Sequence, residues 1–192
     1  MTVLRKADEI FTAEEYLALE ATSETKQECV FGSVYAMAGT SIPHNDIAGN
    51  IYAQLHFQLR GKPCRPSFAD VKLKVPVVGF ENYYYPDVMV ACDPADNARL
   101  WRERPAVIVE VLSPSSVRTD FDKFYVYQQI PTLQLYLIVA QDGMGVTAIQ
   151  RTASGWQRLY FNDPAAQLPL DSIGCQLSLA QSYEGIDFAA AN

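Results

Sequence analysis

The stretch YYYPDVMVACDP, residues 83–94, sets a proline and an aspartate at the mouth of an apolar run. Pro86 restricts the residue before it to extended backbone, and VMVAC is rich enough in apolar residues to be a buried strand. Asp87 is then a carboxylate at a strand entry with little nearby charge to answer it. Aspartate after proline is a common turn residue, so the position alone leaves two readings open, a surface turn or a cation site.

A second carboxylate sharpens the question. Glu110 lies inside AVIVEVL, residues 106–112. An ionised group in an apolar strand is costly unless it is paired or opens into a cleft. Strand alternation places Ala106, Ile108, Glu110 and Leu112 on one face. If the strand from Asp87 pairs beside this one, the carboxylates converge. Their repulsion would raise a pKa unless a cation intervened, and hard oxygen donors suit magnesium. Downstream, DFDKFYVY puts Lys123 three residues after Asp120 and four before Tyr127, so all three can share a helix face. Lys123 is either a solvated partner of Asp120 or an ammonium aimed at the carboxylates.

The surrounding pattern is that of one α/β domain. The chain has 192 residues, 49% hydrophobic and 19% charged, enough to bury a core. Thr12 and Glu15 have capping-box spacing ahead of a helix. ECVF and SVYAMA flank Gly32 as an N-terminal β-hairpin, and Glu28 lies in its first arm. Ile47, Ile51, Leu55 and Leu59 form a helical stripe over residues 44–61. SFADVKLKVPVV, residues 67–78, alternates as one half-exposed strand, and residues 93–105 form a polar connection. Residues 113–131 read as a helix opened by serines and stopped by Pro131. TLQLYLIVA is a buried strand, GVTAIQR and GWQRLYF form a C-terminal β-hairpin, and a short helix closes the chain. Tyr83, Tyr84 and Tyr85 are either core or a base-stacking surface.

The net charge of −7 restricts nucleic-acid binding to a local basic surface or to metal ions. The nearest basic group is RGKPCR, residues 60–65, with Lys72 and Lys74, expected to be solvated. Four cysteines without a Cys-x-x-Cys pair, and two histidines, give no zinc pattern and predict reduced thiols in a cytoplasmic protein. No signal core and no membrane-length apolar run is expected, and no glycine-rich phosphate loop is present.

PD at 86–87 followed by EVL at 110–112 resembles the PD-(D/E)XK nuclease superfamily. KQECVFGSVYAMAG, SIPHNDIAGNIYAQL, YYPDVMVACD, PAVIVEVLSPSS and TDFDKFYVYQQIPTLQLYLIVAQD, in that order, resemble more narrowly its Uma-type restriction endonuclease family. The resemblance implies a restriction-endonuclease-like fold with a mixed central β-sheet flanked by helices. It implies a single domain over 1–192, with a core at about 12–160 and a C-terminal extension at about 161–192. Asp87 and Glu110 would hold Mg2+, with Mn2+ as a substitute, and the Val111 carbonyl would be a third ligand. The superfamily lysine normally stands two residues after the acid, where this chain has Leu112; Lys123 on the following helix takes its place. Glu28 and Tyr127 are further members of the implied site. His44, at the head of the second helix, is either a site contact or a cap. Leu135 replaces a usual glutamate and Cys29 an aromatic residue. The implied activity is metal-dependent phosphodiester hydrolysis in DNA, with room for a homodimer. The alternatives are a non-catalytic nucleic-acid- or protein-binding module on the same fold, and a hydrolase of small phosphoesters.

Overall fold

The computed structural model describes residues 10–112 and 117–188. In chain order the elements are α1 (Ala13–Thr22), β1 (Gln27–Val30), β2 (Ser33–Ala36), α2 (Ile42–Gln58), β3 (Arg65–Phe68), β4 (Lys72–Val77), β5 (Phe80–Tyr84), β6 (Val88–Ala91) and β7 (Trp101–Arg102). They continue with β8 (Pro105–Val111), α3 (Val117–Tyr127), β9 (Leu135–Val139), β10 (Val146–Thr152), β11 (Gly155–Phe161), β12 (Gln167–Leu170), β13 (Cys175–Ser178) and α4 (Leu179–Ser182). The serines expected to cap α3, Ser113, Ser115 and Ser116, lie outside the described residues, as does the side chain of Asp120.

The mixed central sheet has the order β11-β10-β9-β8-β6-β3. Its middle pair, β8 and β9, is parallel and its other pairs are antiparallel. All seven residues of β8 are buried, as expected of a strand covered on both faces. One face packs on α2 through Ile47, Ile51, Leu55, Val88 and Val109. The other packs on α3 through Met89, Ile108, Tyr127 and Tyr136.

A single sheet was expected, and the hairpin instead belongs to a second one, ordered β2-β1-β5-β4-β7. The stretch read as one strand over 67–78 is two. Phe68 pairs with Val88 in the central sheet, Ala69 turns the chain at φ 52°, and Lys72 begins β4 in the second sheet. Alternation slips phase at the turn, from Phe68 before it to Val71, Leu73 and Val75 after it, but a slip does not say that the chain changes sheet. The polar connection over 93–105 also contains β7, which pairs parallel with β4. Trp101 there stacks edge-on against Tyr83.

The capping box at Thr12 and Glu15 forms as its spacing predicts. The β1–β2 turn has positive φ at both Phe31 (48°) and Gly32 (77°), the two-residue geometry that matches strand twist. A side chain at Gly32 would also meet Ile10 at 2.6 Å. Buried Asn82 secures this turn, accepting from the Phe31 N–H at 2.7 Å and donating to the Val75 carbonyl at 3.1 Å. Helix α2 begins earlier than its apolar stripe suggested. Ser41 caps it and Pro43 occupies its first turn, where no N–H is needed.

Two expectations about surface chemistry are corrected. Lys72 and Lys74 are not solvated: their side chains are 13% and 16% exposed, paired with Glu20 and with Glu81 and Glu103. They lie over the rings of Tyr85 and Trp101. Cys64 and Cys92 are not free thiols but a disulfide. Antiparallel pairing of Arg65 with Ala91 brings the adjoining residues opposite one another, although they are 28 residues apart in sequence. Cys29 and Cys175 remain free. Among the described residues no helix is long and apolar enough to cross a membrane.

The C-terminal extension completes the core. Leu168, Leu170, Leu177, Leu179 and Tyr183 join the cluster on α2. Burial pushes the Tyr183 phenol up to about 12, so it is a neutral hydrogen-bonding group, 2.8 Å from the carbonyls of Ala140 and Gly145. A polar stripe on and just beyond α2 then clasps the backbone of this extension. Asn50 donates to the Ser182 and Glu184 carbonyls, and Lys62 to that of Gly174. Gln54 donates to the Ser178 carbonyl and accepts from its N–H, and Gln58 does the same at Gln176. The two glutamines, one helical turn apart, thus satisfy the outer edge of β13 in place of another strand. Gln54→Ala and Gln58→Ala should each cost about 1 kcal/mol. Urea unfolding should show lowered midpoints with an unchanged slope.

Candidate active site

Asp87 stands one residue before β6, where Pro86 has no N–H to extend the ladder. The last rung of β6 with β8 pairs Val88 with Val109. Beyond it the Asp87 side chain takes the acceptor place of a backbone carbonyl, and its Oδ2 accepts from the Val111 N–H at 2.7 Å. An extended residue directs its N–H and C=O to the same side, so the Val111 carbonyl faces the Asp87 side as well. The other Asp87 oxygen meets His44 Nε2 at 2.9 Å. An ionised carboxylate only accepts, so this nitrogen carries the proton. Ser41 is the helix cap, and its Oγ takes the His44 N–H at 3.3 Å. His44 therefore contributes its ring to Asp87, not a cap to the helix.

Glu110 points to the α3 side with Ile108 and Leu112. Ala106 does not share that face as alternation predicted. It falls at a register shift between Val90 and Ala91, and its side chain joins the α2-side cluster. Glu110 is 4% exposed and accepts from the Tyr127 hydroxyl at 2.9 Å and from Lys123 Nζ at 3.3 Å. The same ammonium lies 3.3 Å from Glu28, whose Oε1 also takes the Tyr85 N–H at 3.1 Å. Lys123 sits over the ring of Tyr84 at 5.9 Å.

Glu28, Glu110, Lys123 and Tyr127 thus form one buried network. Asp87, His44 and the Val111 amide form a second group at the strand end. The two join through the peptide that follows Glu110. Glu110's apolar setting is compensated by the Lys123 ammonium and a phenol. Burial raises the phenols of Tyr84 and Tyr127 above their ordinary value of 10.0, and the negative charge of Glu28 and Glu110 adds to the effect. Tyr127 is therefore a hydrogen-bond donor, not a base. The whole tyrosine triplet is core, with Tyr83, Tyr84 and Tyr85 at 0%, 2% and 5% exposure, and none offers a free face to a base. Leu135 and Cys29, the two departures from the resemblance, are buried in the core. Leu135 lies at the opposite end of β9 from Val139, the partner of Val111.

Two contributions were not readable from the sequence. The Tyr85 backbone N–H reaches Glu28 because β1 and β5 pair across more than fifty residues, Cys29 opposite Tyr83. Lys26, Phe68 and Met37 come together with His44 and Asp87 around a cleft of about 350 Å³. Their sequence distances give no hint of this.

The matching family profile, described as "Uma2: Putative restriction endonuclease", spans residues 13–182. The chain belongs to this family. Two uncharacterized proteins of Synechocystis sp. are similar to it. One is 33% identical over 177 residues, 91% of this chain and 92% of its own. The other is 35% identical over 136 residues, 69% and 76%. A crystal structure of "a putative nuclease belonging to DUF820" from Anabaena variabilis superposes with a TM-score of 0.73 at 17% identity, covering 90% of this chain and 97% of that one. The Uma2 fold is thus nuclease-like, with mixed sheets flanked by helices.

Families of this type use divalent metals, and the oxygens at the strand end have suitable chemistry. Two carboxylates and a backbone carbonyl are hard donors. Magnesium is commonly held by only one or two carboxylates with waters and substrate oxygens. Among the described residues no three His, Cys, Asp or Glu side chains gather into a cage.

Removing the ammonium should expose the cost of burying its partners. Lys123→Met is expected to lose about 3–5 kcal/mol in urea unfolding. Lys123→Met combined with Glu110→Gln should lose less, because one uncompensated charge is removed. The phenols add a pH effect. Their folded values are raised, so their contribution is intact below pH 10 and declines as pH rises beyond it. Tyrosinate absorbance and loss of far-ultraviolet circular dichroism should therefore rise together in an alkaline titration.

Proposed function

We propose that this Uma2 protein is a magnesium-dependent endonuclease that hydrolyses phosphodiester bonds in DNA. The observation carrying it is the half-buried Lys123 ammonium set against Glu110, one peptide from an Asp87 carboxylate at the strand end. Asp87, Glu110 and the Val111 carbonyl would hold the ion, with manganese as a substitute. When bound, it supplies positive charge at the phosphate and acidifies water. Lys123 offsets the negative charge that gathers on the phosphate as the nucleophile attacks. Tyr127 and Glu28 hold Glu110 and Lys123 in place. His44 orients Asp87, leaving that carboxylate's remaining lone pairs for a cation. A homodimer would present two such clefts to two strands.

One observation favours a second reading. Glu28 and Glu110 already share an ammonium, so the protein itself offsets one of their two negative charges. On that reading the fold is a binding module and the carboxylates are structural.

Plasmid nicking in magnesium separates the two. Asp87→Ala, Glu110→Ala and Lys123→Ala should each reduce cutting at least ~100-fold, the scale of one lost charge-stabilising contact. Equal cutting by all four proteins, or none by the wild type with metal binding absent from calorimetry, removes the enzyme reading.

A further inference from the structure

We propose that the cleft beside Asp87 accepts one unpaired nucleotide, so that the preferred ligand is a single-stranded end or flap and not a closed duplex. This rests on the nuclease reading of the same site and specifies its substrate. The cleft, about 350 Å³, falls at the small end of the ~300–1,000 Å³ typical of small-ligand sites. A base stacked in a duplex enters such a space only by leaving the stack, at a cost that an unpaired base does not incur.

The lining matches a nucleotide. Phe68, half-buried, and Met37 supply apolar surface for a base, while Asn45 supplies a side-chain amide. Lys26 stands at the rim, 44% exposed and paired with Asp70, whose side chain is 80% exposed. A pair this open is weak, and a phosphate can take Asp70's place on the ammonium. His44 and Asp87 line the same cleft, and Nε2 of the ring is committed to the carboxylate.

Charge points the same way. Duplex affinity grows with the number of phosphates neutralised. Here Lys72 and Lys74 are half-buried and held in ion pairs, and the net charge is −7. Single strands are held largely by stacking, which needs fewer cations.

The test is fluorescence anisotropy without divalent metal, using labelled single-stranded DNA, a duplex with a single-stranded flap, a blunt duplex of the same sequence and single-stranded RNA. The single strand and the flap should bind at least ~10-fold tighter than the blunt duplex, the scale of one stacked base. Phe68→Leu and Lys26→Glu should each remove most of that difference. Lys26→Glu lies at the surface and keeps the assay decisive if Phe68→Leu folds poorly. RNA bound like single-stranded DNA supports the same cleft. Equal binding of all the nucleic acids, or single-strand binding unchanged in Lys26→Glu, overturns it. Magnesium-dependent cutting without single-strand preference would remove this inference and leave the nuclease. Single-strand preference without any cutting would remove the nuclease and leave the cleft.

Discussion

An ammonium 3.3 Å from each of two buried carboxylates joins three parts of the molecule that share no local sequence. Glu28 comes from the second sheet, Glu110 from the middle of the central sheet and Lys123 from α3. Each charge would be expensive to bury alone, so the three elements must assemble together. Tyr127 and the Tyr85 N–H occupy further acceptor sites on the carboxylates, which makes the network specific in geometry as well as charge. The end of α3 is also secured. Arg151 donates to the carbonyls of Gln128, Ile130 and Leu133 and stacks on Trp156 at 4.4 Å. The helix that delivers Lys123 is therefore held at its far end by the β10–β11 hairpin.

Asp87 solves a different problem at the same place. A proline without an N–H ends the β6 ladder, and the next side chain, not a backbone carbonyl, accepts the Val111 N–H. That single substitution of carboxylate for carbonyl leaves a negative group at a sheet end, between the face covered by α2 and the face covered by α3. His44 reaches it from α2, and the cleft opens beside both. The site is thus a consequence of how a strand terminates, supported by a helix whose later turns grip the C-terminal extension.

Much of this was legible locally. The capping box, the hairpin turn, the apolar stripe of α2 and the runs of β6, β8 and β9 follow from periodicity and turn chemistry. The carboxylate in AVIVEVL announced itself because an apolar strand does not tolerate it unpaired. Lys123 and Tyr127 share a face by helical spacing alone. The Cys64–Cys92 bond, the burial of Lys72 and Lys74 and the division into two sheets were not legible. Each depends on which strand lies next to which, and alternation is identical whatever the neighbour.

The amino-acid order by itself determined which segments are strands or helices, and which carboxylates and amine had to find compensation, because these follow from spacing and from the cost of burying charge. Tertiary structure alone decided that the cation beside Glu110 is the protein's own lysine, that Asp87 answers to a histidine and a backbone amide, and that a cleft of about 350 Å³ opens beside them. Those outcomes rest on pairings between residues tens of positions apart, where distance along the chain carries no information about distance in space.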